Sequence, residues 1–476
     1  MGDASLQTYL CQLEDEHPEW VVHVTEPVDP AKFEVTAVLQ QLELRNQYPL
    51  VIFDRPLNLF GDVSEFPIAT NVYASRQRCA VAMGLPPKDF GLPLALEYAR
   101  REERRLEPQI IPKAAAPVKE VVQVGEGADL RQFPIIRHHR MDGGPYIDMS
   151  PLMRDPDSGT YNAAFLRMQY KGPRKLGLHM SPRHNWQIVR KNEERSQPTP
   201  VVVVVSHHPA YFIGALNVAP FGEDDYQVIG SIMDRPLRLT PSEIWGADVL
   251  VPADADILIE GEVLPGAREV EGPFGEFPGT YGPQRVRWVV EVKAITRRRQ
   301  AVYQDIFTGH RDVWTMGSFP KEGAIYNRIK GVVPTVRAVH LPASGVGRFH
   351  CYISIDKKVD GESKQAALIA LGAVDFVKHV IVVDSDIDVF REEEVLWAMA
   401  TRVQAAEDVD VIKNVKGNAL DPSQMDDIMT SKMIIDATKP VRRPFEARLD
   451  IPRDVLERTV LEKLIPPKQL ARVREV

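Results

Sequence analysis

Two glutamates five residues apart, Glu271 and Glu276, lie in the segment EVEGPFGEFPGTYG, where Gly272, Pro273, Gly275 and Pro278 constrain the backbone between and beyond them. Two carboxylates on a rigid Gly-Pro loop beside Phe274 and Phe277 can be given different environments. One then stays ionised while desolvation raises the other, which divides acid and base work between them. An arbitrary pair of glutamates is more commonly a solvated loop. Upstream, TYNAAFLRMQ carries Asn162 and Arg167 in an otherwise apolar, strand-like run. Burying such groups without partners costs on the order of several kcal/mol, so Arg167 calls for an acid such as Glu271 or for a bound anion. The five-residue spacing puts Asn162 and Arg167 on opposite faces of a regular strand, where they serve different parts of a site unless a bulge intervenes.

His184 in HMSPRHNW and Glu223 in APFGEDDYQ add a nitrogen and a carboxylate to Asn162. This mixed oxygen and nitrogen set suits Mn²⁺ or a similar cation better than a thiolate-seeking metal. Lone histidines, His179, His207 and His208 among them, are more often structural. Two motifs are discarded. His310-Arg311-Asp312 imitates a kinase catalytic loop, but Gly317 stands where Asn is needed. Gly345-Val346-Gly347 is followed directly by no helix. Neither GxSxG nor a cysteine beside a plausible catalytic histidine is present, which leaves hydrolase chemistry unsupported.

The elements that must position these groups divide into three modules. In the 476 residues, 58 Lys plus Arg against 66 Asp plus Glu give a net charge of −8, against a dedicated nucleic-acid surface. A 44% hydrophobic content supports real cores. Cys11, Cys79 and Cys351 form no CxxC and no disulfide framework, so a reducing cytosol is expected. The longest purely apolar run, Val201 to Val205, is too short to span a bilayer, and the amino terminus carries no export or lipid signal. The amphipathic FEVTAVLQQLELRNQ followed by YPLVIF predicts an N-terminal α/β region over 1–118, closed by a linker near 105–120 whose charge run reads as a solvated face. TYNAAFLRMQY, PVVVVV, YFIGAL, DILIEGEVL and RVRWVVEVKAIT predict a β-rich domain over 119–305, an antiparallel sheet or barrel. KEGAIYNRIKG and KQAALIALGAVDFV alternate with CYISID and HVIVVDSDIDVF, predicting a second α/β domain over 306–450 and a charged helical tail over 451–476.

Taken in order, YNAAFLR, SPRH, GEDDYQVIG, LIEGEVLPG, EGPFGEFPGTYG, VIVVDSDIDVF and VLWAMATR resemble the UbiD family of decarboxylases over nearly the whole chain. The resemblance implies an N-terminal α/β region, a central split-β-barrel flavin-binding domain and a C-terminal α/β oligomerisation domain. It implies reversible, non-oxidative decarboxylation of an aromatic or heteroaromatic acid with release of CO₂, through a covalent substrate adduct with prenylated FMN that Glu276 protonates. On that likeness Arg167, Glu271 and Glu276 are the catalytic triad. Asn162, His184 and Glu223 hold Mn²⁺, with K⁺ nearby, and Ala163, Ala164, Phe165, Leu166, Arg167, Arg183 and Lys378 join them around the cofactor.

The same likeness implies that a flavin prenyltransferase supplies the cofactor and that the chain forms a homo-oligomer, a dimer or a hexamer, in the cytoplasm. Substrate contacts are expected at Val313, Lys321 and Arg348. Val313, where some relatives carry His or Asn, favours a flat, apolar aromatic or heteroaromatic acid. Two alternatives stay open at this point, an FMN-binding reductase and a non-catalytic accessory flavoprotein, since a split barrel does not fix function.

Overall fold

The computed structural model describes residues 3–424, 428–467 and 469. The first helix, Leu6–Glu16, starts where Ser5 and Thr8 exchange hydrogen bonds, Thr8 N to Ser5 Oγ at 3.2 Å and Ser5 N to Thr8 Oγ1 at 3.1 Å. This reciprocal cap satisfies two otherwise free amides. The amphipathic run forms the helix Glu34–Glu43, which buries Val35, Thr36 and Leu39, and the apolar run forms the fully buried strand Leu50–Phe53. That strand lies between Val21–Val24, parallel to it, and Ile68–Thr70, antiparallel. The sheet's fourth strand is Tyr303–Gln304, returned from far along the chain beside Ile68 and Ala69.

The stretch read as a solvated linker is instead docked. Gln109–Ile110 pairs in parallel with Arg238–Ser242, Arg101 is buried with Nη1 donating to Ile232 O at 2.7 Å, and Arg105 pairs with Glu223. A charge run read along one helix cannot reveal that acids and carbonyls from a distant segment lie opposite it.

The central module is a nine-stranded, largely antiparallel sheet. Its longest strands, Ile257–Glu271 and Arg285–Arg297, pair over most of their length, with register shifts at Glu260/Gly261 and Val263/Arg268. TYNAAFLRMQY is not one strand but two, Tyr161–Ala163 and Met168–Gly172, separated by the loop 164–167. YFIGAL, expected as a strand, lies mostly in the helix Pro209–Gly214. Pro209 at its first position and His208 Nδ1 accepting from Ala210 N at 3.2 Å start a helix that a short apolar run cannot distinguish from a strand.

The helix Arg311–Lys330 leads into a five-stranded sheet in the order Val336–His340, His350–Ile355, His379–Asp384, Met429–Ala437, Val409–Lys416. The helices Glu362–Ala373 and Glu392–Arg402 cover its two faces, each over its own apolar cluster. A continuous core joins the N-terminal and central modules and reaches Met316 and Phe319. The tail carries two short exposed helices, Arg453–Arg458 and Leu461–Leu464. Among the described residues no helix is long and apolar enough to cross a membrane.

Candidate active site

Three strand ends converge on one guanidinium. Arg167 closes the loop before Met168–Gly172, Glu271 ends the strand Ile257–Glu271, and Glu276 follows Phe274–Gly275 in a small hairpin with Tyr281–Gly282. Arg167 grips Glu271 in a fork, Nε to Oε1 at 2.8 Å and Nη2 to Oε2 at 3.0 Å, while Nη1 donates to Glu276 Oε1. The guanidinium stands 4.9 Å from the centre of the Phe274 ring. Tyr146 Oη donates to Glu271 Oε1 at 3.2 Å, so the Glu271 carboxylate is held from two sides.

The two acids sit in different surroundings. Glu271 is 1% exposed and doubly engaged by Arg167, whereas the Glu276 side chain is 14% exposed. Burial raises the Glu276 pKa, Arg167 opposes the rise and Glu271 adds to it, and the net shift is upward. Burial also works against the Arg167 charge, but Glu276 and Glu271 outweigh it and raise its pKa. His179 is pushed down to about 3 by burial and then by Arg167, Arg287 and Arg285. It is therefore a neutral imidazole whose Nδ1 accepts from Arg167 Nη2 at 3.2 Å and Arg287 Nε at 3.1 Å, and its 3.7 Å approach to Glu271 is not an ion pair.

The hairpin that carries Glu276 is braced on both sides. Asp142, 1% exposed, accepts from Gly275 N at 2.8 Å and from His139 N at 2.7 Å. A Cβ on Gly275 would stand 2.3 Å from His139 Nδ1, and one on Gly282 would stand 2.7 Å from Glu276 Oε1. Trp314 Nε1 donates to Phe277 O at 2.7 Å, tying the hairpin to the helix Arg311–Lys330. Tyr146, Asp142 and Trp314 carry no sequence signal because their contacts here join segments more than 100 residues apart or cross modules, and His179, taken as a structural histidine, meets Arg167 and Arg287 through a neutral ring.

Asn162 and His184 come together as expected, with His184 Nδ1 and Asn162 Oδ1 3.0 Å apart and Asn162 Nδ2 donating to Asn185 Oδ1 at 2.7 Å. Burial and Arg183 lower the His184 pKa, leaving a neutral ring. Glu223 lies on the neighbouring loop, where Phe221 packs on His184 and Asp225 accepts from Ala163 N at 2.7 Å, but its carboxylate is turned to Arg105. Asn162 and Arg167 therefore stand at the two ends of one loop, not on opposite faces of one strand. In that loop the half-buried Ala164, Phe165 and Leu166 lie between the two groups of side chains.

The remaining expected residues fall on the C-terminal side. Lys321 Nζ donates to Gly317 O at 2.9 Å, and its pKa drops to about 7 through burial, then Arg348, then Arg183. The Arg348 guanidinium lies 4.3 Å from the Phe277 ring centre, and its buried Nη1 has no hydrogen-bond partner among the described residues. Arg183 and Arg348 thus lie close enough to Lys321 to lower its pKa, and Arg348 faces the Glu276 hairpin over Phe277. Val313 packs at the edge of the main core. Lys378 is bound to Asp421 at 2.7 Å and Ser423 at 2.6 Å and lies over Phe349, which packs on Phe277 of the hairpin.

Comparison with known proteins matches three consecutive regions to one family. Residues 13–92 match the N-terminal domain of 3-octaprenyl-4-hydroxybenzoate carboxy-lyase, 109–311 its Rift-related domain and 314–437 its C-terminal domain. Anhydromevalonate phosphate decarboxylase of Methanothermobacter thermautotrophicus is 36% identical over 66% of this chain and 74% of its own. Phenolic acid decarboxylase of Sedimentibacter hydroxybenzoicus is 30% identical over 95% of both chains. The solved structure of the UbiD-class enzyme HmfF from Pelotomaculum thermopropionicum in complex with FMN superposes with a TM-score of 0.88 at 38% identity, covering 97% of this chain and all of that one. An evolved dimeric form of the same enzyme in complex with prFMN gives a TM-score of 0.85 at 36% identity, with the same coverage.

Proposed function

The chain belongs to the UbiD family of carboxy-lyases, and from that premise we propose that it decarboxylates an aromatic or heteroaromatic acid with prenylated FMN as cofactor and Glu276 as proton donor. The observation that carries this reading is the Arg167–Glu271–Glu276 constellation, one carboxylate clamped in a fork and the other raised toward protonation. When bound, the cofactor supplies the electron sink for the bond that loses CO₂.

The residues present fit such a group. The loop between Asn162 and Arg167 is half-buried at Ala164, Phe165 and Leu166, and the buried Arg348 Nη1 has no hydrogen-bond partner among the described residues. Asn162 Oδ1, His184 and Glu223 supply the oxygen and nitrogen donors that Mn²⁺ accepts, once Glu223 leaves Arg105, and K⁺ is proposed beside them. Lys378 would turn from Asp421 to take part.

Arg167 keeps Glu271 anionic by direct pairing and orients Glu276 through Nη1. Glu276 holds a proton at its carboxyl and delivers it to the carbon that CO₂ leaves. General acid assistance of this kind contributes about 10²- to 10⁴-fold. The aromatic rings of Phe277, Phe349 and Phe376 give a flat acid an apolar seat, and Lys321 with Arg348 offers charge to its anionic or polar edge.

Arg348 and Lys321 also favour a second reading, a phosphorylated acid of the kind the Methanothermobacter relative's name describes. The test is production of the chain together with a flavin prenyltransferase, which we propose as the cofactor's source, followed by mass spectrometry of the released flavin and CO₂ release from indole-, pyrrole- and benzoate-type acids beside anhydromevalonate phosphate. Prenylated FMN with turnover of an aromatic acid supports the proposal. Turnover of the phosphorylated acid alone selects the second reading, and unmodified FMN with nicotinamide oxidation overturns both in favour of a reductase.

A further inference from the structure

A cavity of about 670 Å³ opens where the N-terminal sheet, the helix Arg311–Lys330 and the C-terminal module meet. Trp20, Tyr48, Phe90, Trp314 and Phe390 line it, together with Arg311. On the long helix the lining residues are Arg311, Trp314, Thr315 and Ser318, whereas Val313, Gly317 and Lys321 are not among them. The cavity and the decarboxylation site therefore lie along adjoining faces of one helix, with Trp314 between them.

The charges around the cavity are unequally spent. Arg76 is held by Glu322 in a fork at 2.9 and 2.8 Å and by Phe90 O at 2.8 Å. Arg78 donates to Tyr48 O at 2.8 Å and Asn71 O at 2.7 Å. Arg311 has neither an ion pair nor a hydrogen bond among the described residues, and its guanidinium rests 4.4 Å from the Tyr48 ring centre. Five aromatic side chains mixed with polar groups, of which Arg311 alone among the lining arginines is uncommitted among the described residues, make a wall that can seat an aromatic ligand, and cavities of roughly 300–1,000 Å³ hold such ligands.

One uncommitted guanidinium matches one carboxylate, because a guanidinium presents a planar fork of donors to it. Glu19 among the lining residues works against a polyanion. We propose that this cavity is a second ligand site, separate from the decarboxylation site, that binds a planar aromatic monocarboxylate with Arg311 as its receptor.

Equilibrium dialysis of the cofactor-loaded protein against 2-naphthoate tests this, with ATP as a polyanionic aromatic for comparison. The expected result is a saturable component of naphthoate binding that Arg311→Gln weakens roughly tenfold, the loss of a charge-assisted hydrogen-bond pair. Arg311→Glu should weaken it further. Both variants should keep the wild-type thermal unfolding temperature in the absence of naphthoate, which reports that they fold. Naphthoate binding that is absent, or indifferent to both substitutions, overturns the site, and tighter binding of ATP at an Arg311-dependent site overturns the ligand class. None of these readouts requires turnover of a particular acid, so failure here is distinguishable from failure of the proposed reaction.

Discussion

Glu276 is where the opposing forces on the site are resolved. Burial pushes its pKa up, Arg167 pulls it down, Glu271 pushes it up again, and the sum is a rise. A general acid works only while protonated, so turnover governed by Glu276 is full below this raised pKa and is lost as pH climbs through it. In kcat against pH, the alkaline limb should stand above the usual carboxylate range. Glu276→Gln should cut CO₂ release by roughly 10²- to 10⁴-fold while flavin content is unchanged, and its residual rate should lack that limb. Release near the wild-type rate would remove the acid role from Glu276. The meeting of Arg167 with Glu271 was legible in the sequence because a buried arginine demands a partner, whereas Glu276 joined them only through the family resemblance. Tyr146 and His179 were not legible, since a tyrosine hydroxyl and a neutral imidazole carry no such demand in one dimension.

The hairpin Phe274–Gly275/Tyr281–Gly282 turns that chemistry into geometry. An added Cβ at Gly282 would meet the far end of the Glu276 side chain at 2.7 Å, not backbone. The acid can swing away at little cost to folding, but it then leaves the position from which the proposed proton delivery would occur. Gly282→Ala should therefore unfold at nearly the wild-type temperature yet lose roughly 10- to 100-fold in kcat, as a displacement near 1 Å does. A parallel loss of stability and activity would mean the hairpin itself had rearranged. Elements with a clear period were readable from sequence, such as Glu34–Glu43 and the long pair Ile257–Glu271 and Arg285–Arg297. YFIGAL was not, because six apolar residues fit a strand or a helix and the deciding feature was the cap at His208. The docked Gln109–Ile110 strand was hidden for a related reason, its partner lying more than 100 residues away.

One carboxylate ties the modules around the long helix. Glu322, fully buried, accepts two bonds from Arg76 of the N-terminal module at 2.9 and 2.8 Å. It also engages His340 Nδ1 at 2.9 Å and Leu341 N at 3.0 Å of the C-terminal one. Burial alone would raise its pKa, but Arg76 and His340 outweigh burial and hold it near 2, below the ordinary 4.5. A depressed acid pKa contributes stability that is full above the unfolded value and is lost as pH falls toward the folded one. Glu322→Gln leaves the Arg76 charge largely buried without its counter-ion, which costs roughly 3–5 kcal/mol. In urea unfolding, the gap between wild type and this variant should be constant from pH 7 down to about 5 and should narrow as pH falls from about 4.5 toward 2. A gap that persists unchanged at pH 3 would show that the ionised pair contributes nothing and that packing alone joins the modules. The same helix carries Lys321 toward the hairpin and Trp314 under Phe277, so the variant that loosens the junction should also raise KM for the acid. Gly282→Ala, acting only within the hairpin, should instead lower kcat and leave urea stability intact.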